Sequence, residues 1–258
     1  MDLGIKGKRA IVCASSRGLG YGCAVALAQA GVDLTICARN SIELEKAENK
    51  LVDYGVQVTS VCCDVTSEKG RETLLEACRE PDILINNAGG PPPGIWSDWE
   101  NEDFISAVNA NMITPIALIK TVLPNMISNR WGRIVNITSQ AVKAPVPALG
   151  LSNSARAGLT GYVAGTSRQV AEYGVTINNL LPGMHDTRRL VDLDSALSKE
   201  KGISLEEART MRISSIPVGR YGTIEEFGNA CAFICSQYSG FMVGQNILLD
   251  GGAVNSTF

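Results

Sequence analysis

The sequence predicts one doubly wound α/β domain, a single parallel sheet with helices on both faces. Three observations carry this. Apolar runs of strand length alternate with stretches of helical periodicity from Ala10 to Asp250. The first strand and helix are joined by a glycine-bearing turn of small residues. No repeat, linker or low-complexity segment divides the 258 residues, which are 45% hydrophobic and sufficient for one sizeable core.

The elements follow in order. Ala10-Ile11-Val12-Cys13 has the length of one buried strand. The turn Ala14-Ser15-Ser16-Arg17-Gly18-Leu19-Gly20 comes next, and Ala24, Leu27, Ala28 and Gly31 then recur at helical spacing. Strand, turn and helix in this order form the first half of a Rossmann-like, dinucleotide-binding βαβ unit. Small residues let backbone N–H groups approach a pyrophosphate, and the helix N-terminus adds partial positive charge. Glycine in such a turn also has a purely steric use. Residues 32–38 read as a second buried strand, followed by Arg39. In dinucleotide folds an acid here binds the ribose 2′-hydroxyl of NAD, whereas an arginine accommodates the 2′-phosphate of NADP. With Ala38 in place of an acid, and Arg17 and Arg39 at hand, the sequence favours NADP(H) over NAD(H). The alternative is a pair of solvated arginines.

Residues 41–54 read as a helix with Ser41 as N-cap and Glu43 and Glu45 in its first turn. Residues 56–63 form a third strand that runs into Asp64-Val65, and Thr66 or Ser67 caps a helix over 68–80. Residues 82–86 form a fourth strand, which leads into Asn86-Asn87-Ala88-Gly89. Small and amide residues at a strand's carboxyl end suit a ligand crevice. Gly90-Pro91-Pro92-Pro93-Gly94 is stiff and poor in donors, either a pocket wall or a surface connector. Over 101–129, Phe104, Val108, Asn111, Met112, Ile116, Ile119 and Leu123 fall at helical spacing, so Asn111 is an amide on an apolar face. Its structural use is to satisfy backbone groups or water. Residues 132–139 form a fifth strand ending at Ser139. Residues 152–173 form a helix with small residues at Ala155, Ala157, Gly158, Gly161 and Ala164. Residues 175–181 form a sixth strand that closes on Pro182-Gly183. Residues 186–216 are charged and irregularly helical, 223–238 are helical, and 247–250 form a last strand before Gly251-Gly252.

Composition excludes several classes. The formal net charge is −3, with no basic stripe for nucleic acid. No apolar run approaches bilayer length, and residues 1–8 are not a signal peptide. One histidine and no CxxC pair argue against a metal site. The 8 cysteines read as reduced, buried thiols of a cytoplasmic protein.

These residues together resemble a short-chain dehydrogenase/reductase of the 3-oxoacyl-acyl-carrier-protein-reductase-like branch, over nearly the whole chain. The resemblance rests on the 13–20 turn, Asp64-Val65, Asn86-Asn87-Ala88-Gly89, Asn111, Ser139, Pro182-Gly183 with Thr187, and the string GQNILLDGG. The NNAGGPPPG and SARAGL strings point to a divergent subgroup. The resemblance implies a carbonyl or alcohol substrate, a homotetramer or dimer, and a substrate lid at 186–216. It implies that Ala14 through Gly20, Arg39, Asp64, Val65, Asn87, Ala88, Gly89, Arg156, Pro182, Gly183, His185 and Thr187 hold the cofactor.

Two departures stand out. Cys13-Ala14 replaces the family's Thr-Gly. The family's catalytic Tyr-x-x-x-Lys falls on Ser152 and Arg156, so the tetrad corresponds to Asn111, Ser139, Ser152 and Arg156. Arg156 keeps a permanent cation with several donors but cannot relay protons. Ser152 is shorter and a far weaker acid than tyrosine, so a water held by Ser139 and Ser152 is a candidate proton donor. His185 is either an acid–base group near neutral pH or a loop residue whose backbone alone touches the carboxamide; the second reading is preferred. The arginines at 188, 189, 209 and 212 either draw an anionic substrate into the lid or form a solvated lid face; they lie among acids, and the second reading is preferred. The sequence therefore predicts an NADP(H)-dependent oxidoreductase with an altered proton donor. The alternatives are a catalytically silent cofactor-binding scaffold, or lyase or dehydratase chemistry on the same fold.

Overall fold

The computed structural model describes residues 1–256. Its 7-stranded sheet has the order β3-β2-β1-β4-β5-β6-β7, and every pairing is parallel. The strands are β1 (Arg9–Val12), β2 (Asp33–Ala38), β3 (Val58–Cys62), β4 (Ile83–Asn86), β5 (Gly132–Ile137), β6 (Val175–Pro182) and β7 (Asn246–Leu249). β4 and β5 are buried throughout, as strands covered on both faces must be. At the β3 edge only Val61 is buried.

Side-chain alternation divides the core in two. Val12, Ile83, Ile85 and Val135 face α1 (Gly18–Gln29), α2 (Ser41–Leu51) and α9 (Ile224–Ile234). Ile11, Leu84 and Ile134 face α3 (Glu68–Ala77), α5 (Thr114–Ser128) and α6 (Gly150–Val170). α1 and α9 pack backbone to backbone. A Cβ on Gly22 would strike Ile224 O, and one on Gly228 would strike Gly22 O. α7 (Arg188–Lys201) and α8 (Leu205–Ile213) form a separate flap around a small core of Leu190, Ile216 and Tyr221.

The structure corrects several local expectations. Asn40, not Ser41, caps α2: its Oδ1 accepts from Glu43 N at 3.0 Å. The helix ends at Leu51 in a 3-10 turn, because Val52 and Tyr54 are exposed and offer no inward face. The helical region 101–129 is not one α-helix. A π-turn at Asn109–Ile113 separates α4 (Asn101–Val108) from α5. Taken together, Asn101–Ser128 is apolar and long enough to cross a membrane by composition, contrary to the expectation from the sequence. Here its inner face is core, with Leu118, Ile119 and Val122 buried against the sheet. Cys62 is exposed on the edge strand, unlike the buried thiols expected; all eight cysteines are free.

The sheet also carries a buried amide ladder. Asn86, Asn136, Asn179 and Asn246 occupy matched register positions on β4 to β7. Asn86 Nδ2 donates to Asn136 Oδ1 at 2.9 Å, Asn136 Nδ2 to Asn179 Oδ1 at 3.0 Å, and Asn179 Nδ2 to Asn246 Oδ1 at 2.8 Å. Asn86 Oδ1, at the end of the run, is buried without a partner. Each amide satisfies its neighbours in a medium where an unpaired polar group is costly. Asn136→Ala strands a donor on Asn86 and an acceptor on Asn179. It is expected to destabilise the protein by about 3 kcal/mol, read as a lowered urea midpoint at unchanged m-value.

Candidate functional site

A parallel sheet presents all its carboxyl ends along one edge, and the sequence-predicted site residues lie there. At one end is the turn after β1. Ser15 is buried; its Oγ donates to Val12 O at 2.7 Å and accepts from Cys37 N at 3.3 Å. Ala14 has φ of 47°, the left-handed region, where a Cβ costs about 1 kcal/mol or more. Its carbonyl accepts from Asn87 Nδ2 at 3.2 Å, which ties the turn to the end of β4. A Cβ on Gly20 would strike both partners of that bond. Arg17 caps α1 with no side-chain bond, and no acid sits in the first turn, so the leading N–H groups stay open. Arg17 and Arg39 are both exposed and in no ion pair among the described residues.

Asp64 and Val65 border this end. Burial pushes the Asp64 carboxyl up, but bonds from Thr66 N and Oγ1, with the Arg39 charge, outweigh it and hold it below the usual range. Val65 packs in the core, and Asn109 Nδ2 donates to Thr66 O at 3.2 Å. Ala88 lines a small cavity beside Asn111, and Gly89 has open space above it.

The other end is built around Arg156. Its NH1 donates to Ile137 O at 2.7 Å and its Nε to Ser152 Oγ at 3.1 Å. The guanidinium is buried, and no carboxylate pairs with it among the described residues. Burial, then the charge of Arg189, lowers its pKa to about 10, so it stays protonated at neutral pH. Holding that charge costs on the order of 3 kcal/mol. Asn111 lies in the π-turn, buried, with Nδ2 donating to Ala107 O at 3.3 Å. Asn86, Asn87, Asn111 and Arg156 surround a cavity of about 10 Å³, close to the least volume that holds one water. Ser139 follows β5 and opens a short 3-10 turn packed on α6; its Oγ accepts from Ala141 N at 3.1 Å. A cavity of about 810 Å³ lies elsewhere, at the amino ends of β1 and β2.

The segment after β6 covers the crevice. Gly183 N donates to Leu249 O at 2.8 Å, and a Cβ on residue 183 would strike Asp250. Thr187 caps α7 and reaches the first turn: a Cβ on Gly18 would lie 3.8 Å from Thr187 Cγ2. The His185 ring is turned inward, edge-on to Phe227 at 5.2 Å and against Gly222, with Nδ1 3.3 Å from Gly183 O. Chain order brings His185 to the crevice, but its imidazole does not face it.

The flap is not a uniformly solvated charged face. Asp194 is buried, accepts from Tyr221 Oη at 2.9 Å and ion-pairs with Arg212 at 3.0 Å. Burial and that carboxylate push the Tyr221 phenol up to about 12. Arg209 pairs with Asp186 at 2.8 Å and lies over the Tyr221 ring. Arg189 has no such partner among the described residues. Its NH2 reaches Pro91 O at 3.4 Å, and a Cβ on Gly90 would run into its guanidinium. Sequence reasoning weighed Arg189 only as one of four lid arginines and did not single it out, because pairing within a mixed-charge segment has no sequence signature. It missed the Asn86 ladder, although asparagines near the carboxyl ends of successive strands were a readable cue.

Comparison with known proteins places this geometry among enzymes. A family model described as enoyl-(acyl carrier protein) reductase matches residues 13–254. The 3-oxoacyl-[acyl-carrier-protein] reductase of Vibrio cholerae is 30% identical over 256 residues, 97% of this chain and 98% of the relative. That of Pseudomonas aeruginosa is 29% identical, with the same coverage. The L-sorbose reductase of Gluconobacter frateurii, solved with NADPH and L-sorbose, superposes at a TM-score of 0.95 with 26% identity, covering 99% of this chain and 100% of that one. The actinorhodin polyketide ketoreductase with NADPH gives 0.90 at 26% identity, covering 97% and 98%.

The buried imidazole has a measurable consequence. Burial lowers the His185 pKa, against the smaller upward pull of Gly183 O and Glu226. The unfolded value is about 6.5. Below that pH the unfolded chain takes a proton that the folded chain refuses, so stability falls as pH drops through this window and is flat above it. Urea midpoints followed from about pH 7.5 to about pH 5.5 should show this slope, and His185→Gln should flatten it.

Proposed function

Because the chain belongs to the short-chain dehydrogenase/reductase family, we propose that it is an NADP(H)-dependent oxidoreductase interconverting a carbonyl and an alcohol. The observation that carries this is Arg156. A buried guanidinium with no acid beside it, flanked by Asn111 and Ser152 and close to the end of the strand that leads to Ser139, is suited to a polar ligand. In this reading its unused donors hold the nicotinamide ribose and stabilise negative charge that develops on the substrate oxygen.

The crevice fits a dinucleotide. The uncapped α1 N-terminus, free of acids, accepts the pyrophosphate through the backbone of residues 14–20. Arg17 and Arg39 take the 2′-phosphate, with no acid where NAD's ribose would need one. Asp64, Val65, Asn87, Ala88 and Gly89 line the middle of the crevice, and Pro182, Gly183, Thr187 and the His185 backbone cover its nicotinamide end. The bound cofactor supplies the hydride or accepts it. The chain's own residues then orient the carbonyl and manage the proton. The Ser152 hydroxyl accepts from Arg156 Nε, which leaves its own hydrogen to donate toward the substrate oxygen. Arg156 does not titrate, so the proton comes from a water held between Ser139 and Ser152. The cavity beside Asn111, with the unpaired Asn86 Oδ1 near it, offers that water a supply route. His185 takes no part, because its ring is packed on Phe227.

We also infer that the enzyme is cytoplasmic and assembles as a homotetramer or dimer. Its free thiols support the first statement. The exposed Phe104, Ile105 and Ile113 on the outer side of α4 and the π-turn support the second, as an apolar strip for a self-complementary interface.

Two measurements test the function. Arg39→Ala should weaken NADPH binding about tenfold or more, the worth of a charge-assisted contact, and hardly alter NADH binding; failure of the wild type to bind NADPH by calorimetry overturns the oxidoreductase reading in favour of a silent scaffold. Turnover on generic ketones should be slow, since a positioned general acid is worth about 10²–10⁴-fold. Ser152→Tyr with Arg156→Lys should raise it, and neither change alone should, because the two groups act as a unit.

A further inference from the structure

We propose that the substrate is a small oxo acid, bound by its carboxylate to Arg189 at the crevice mouth, in the positive field that Arg156 adds. This rests on the oxidoreductase reading above and names its substrate class. The first ground is pairing. The flap carries Arg209 and Arg212, each held by its own carboxylate, and Arg220 beyond it is held by Glu226. Arg188 and Arg189, from the same segment, have no acid among the described residues, and of the two it is Arg189 that contacts the crevice loop. Arg189 extends to the loop after β4, where Gly90 leaves room for its guanidinium and Pro91 offers one carbonyl at 3.4 Å. A long, weak bond of this kind leaves most of its five N–H donors open.

The second ground is the surroundings of Arg156. It spends Nε and NH1 on Ser152 and Ile137, and NH2 has no protein partner among the described hydrogen bonds. The chain from Phe104 to Ala171, which supplies α5, β5, Ser139 and α6, contains no Asp or Glu. It does contain Lys143 and Arg156 at the site's edge of the fold. Arg156 lines the cavity beside Asn87 and Ala88, Arg189 reaches Gly90 and Pro91 further along the same loop, and together they make a site with a charge deficit, in which the charge of Arg189 helps lower the proton affinity of Arg156. This deficit is separate from the cofactor's phosphates. Arg17 and Arg39 follow β1 and β2, whereas Arg156 is anchored at the end of β5 and Arg189 reaches the loop after β4, on the other side of the sheet order.

The third ground is the loop itself. Pro91, Pro92 and Pro93 have no backbone N–H, so a carboxylate beside them finds its donors on Arg189 rather than on these three residues. The chemistry balances with the established kind of reductant. A reduced nicotinamide dinucleotide gives two electrons as hydride to the keto carbon, water gives one proton to the keto oxygen, the hydroxide left behind is reprotonated from bulk solvent, and the products are a hydroxy acid and the oxidised dinucleotide. The carboxylate is unchanged throughout.

The test uses matched pairs that differ only in charge: 2-oxobutyrate and 2-oxobutyramide, acetoacetate and acetoacetamide, levulinate and levulinamide. NADPH consumption by the full-length enzyme should favour the acid at least tenfold in kcat/KM in one or more pairs. Calorimetry of the matching hydroxy acid into the NADP⁺-loaded protein should show the same preference without turnover. Arg189→Gln, an exposed change that does not threaten folding, should reduce that preference to less than threefold. NADPH binding with a preference below tenfold in all three pairs overturns the substrate class. A preference that survives Arg189→Gln overturns the arginine site. Loss of NADPH binding in the wild type itself overturns the underlying oxidoreductase reading instead.

Discussion

The site depends on a cation that the fold buries and does not neutralise. Arg156 projects from α6 to the end of β5 and is held there by one carbonyl and one hydroxyl. The other buried arginine makes the contrast plain. Arg133 donates to the carbonyls of Ser236, Gly132 and Gly174 and stacks on Trp131 at 4.7 Å. Its hydrogen bonds are spent inside the protein, as a structural arginine's should be. Arg156 has donors to spare and a desolvated charge. A fold keeps such a group at a stability cost only where something outside the chain completes it.

The sheet supplies the frame for that charge. Ile137 O is fixed by β5, which is hydrogen-bonded on both sides, and the amide ladder across β4 to β7 locks the same strands side chain to side chain. The ladder's free end, Asn86 Oδ1, is among the residues around the cavity shared by Arg156 and Asn111. Rigidity and polarity therefore arrive together: the interactions that order the centre of the sheet end in an open acceptor at the site. The π-turn belongs to the same design. It widens the helix by one residue where Asn111 turns inward, a local departure that recurs at functional positions.

Most of the architecture was legible because its causes are periodic. The apolar run Ile83-Leu84-Ile85 assigns a strand covered on both faces, and the helix spacing after Gly20 assigns α1. The 14–20 turn was legible because few residue types suit it, although Ala14 occupies a conformation that disfavours a side chain. What sequence could not reveal depends on which partner a side chain finds. Asn40 and Ser41 are both good caps, and the chain's exit from β2 decides between them. His185 is near the crevice in sequence, but its ring direction is set by Phe227, far along the chain. Arg189 and Arg209 look alike in a charged segment, and only tertiary pairing separates the neutralised one from the free one.

That separation links the flap to both ends of the crevice. Its own core is three buried residues, Leu190, Ile216 and Tyr221, reinforced by Asp194 and Arg212. This is small beside the two clusters that flank the sheet, so the flap is the part whose opening costs least. At its root, Thr187 meets the dinucleotide turn at Gly18, and two residues later Arg189 meets the proline loop at Gly90. A ligand that engages either contact biases the flap toward closure, and one that engages both does so twice. Under the proposed function, cofactor and anionic substrate are then coupled through a short stretch of α7 rather than through direct contact. The residues that carry the coupling are a threonine and an arginine that the flap's internal ion pairs leave free.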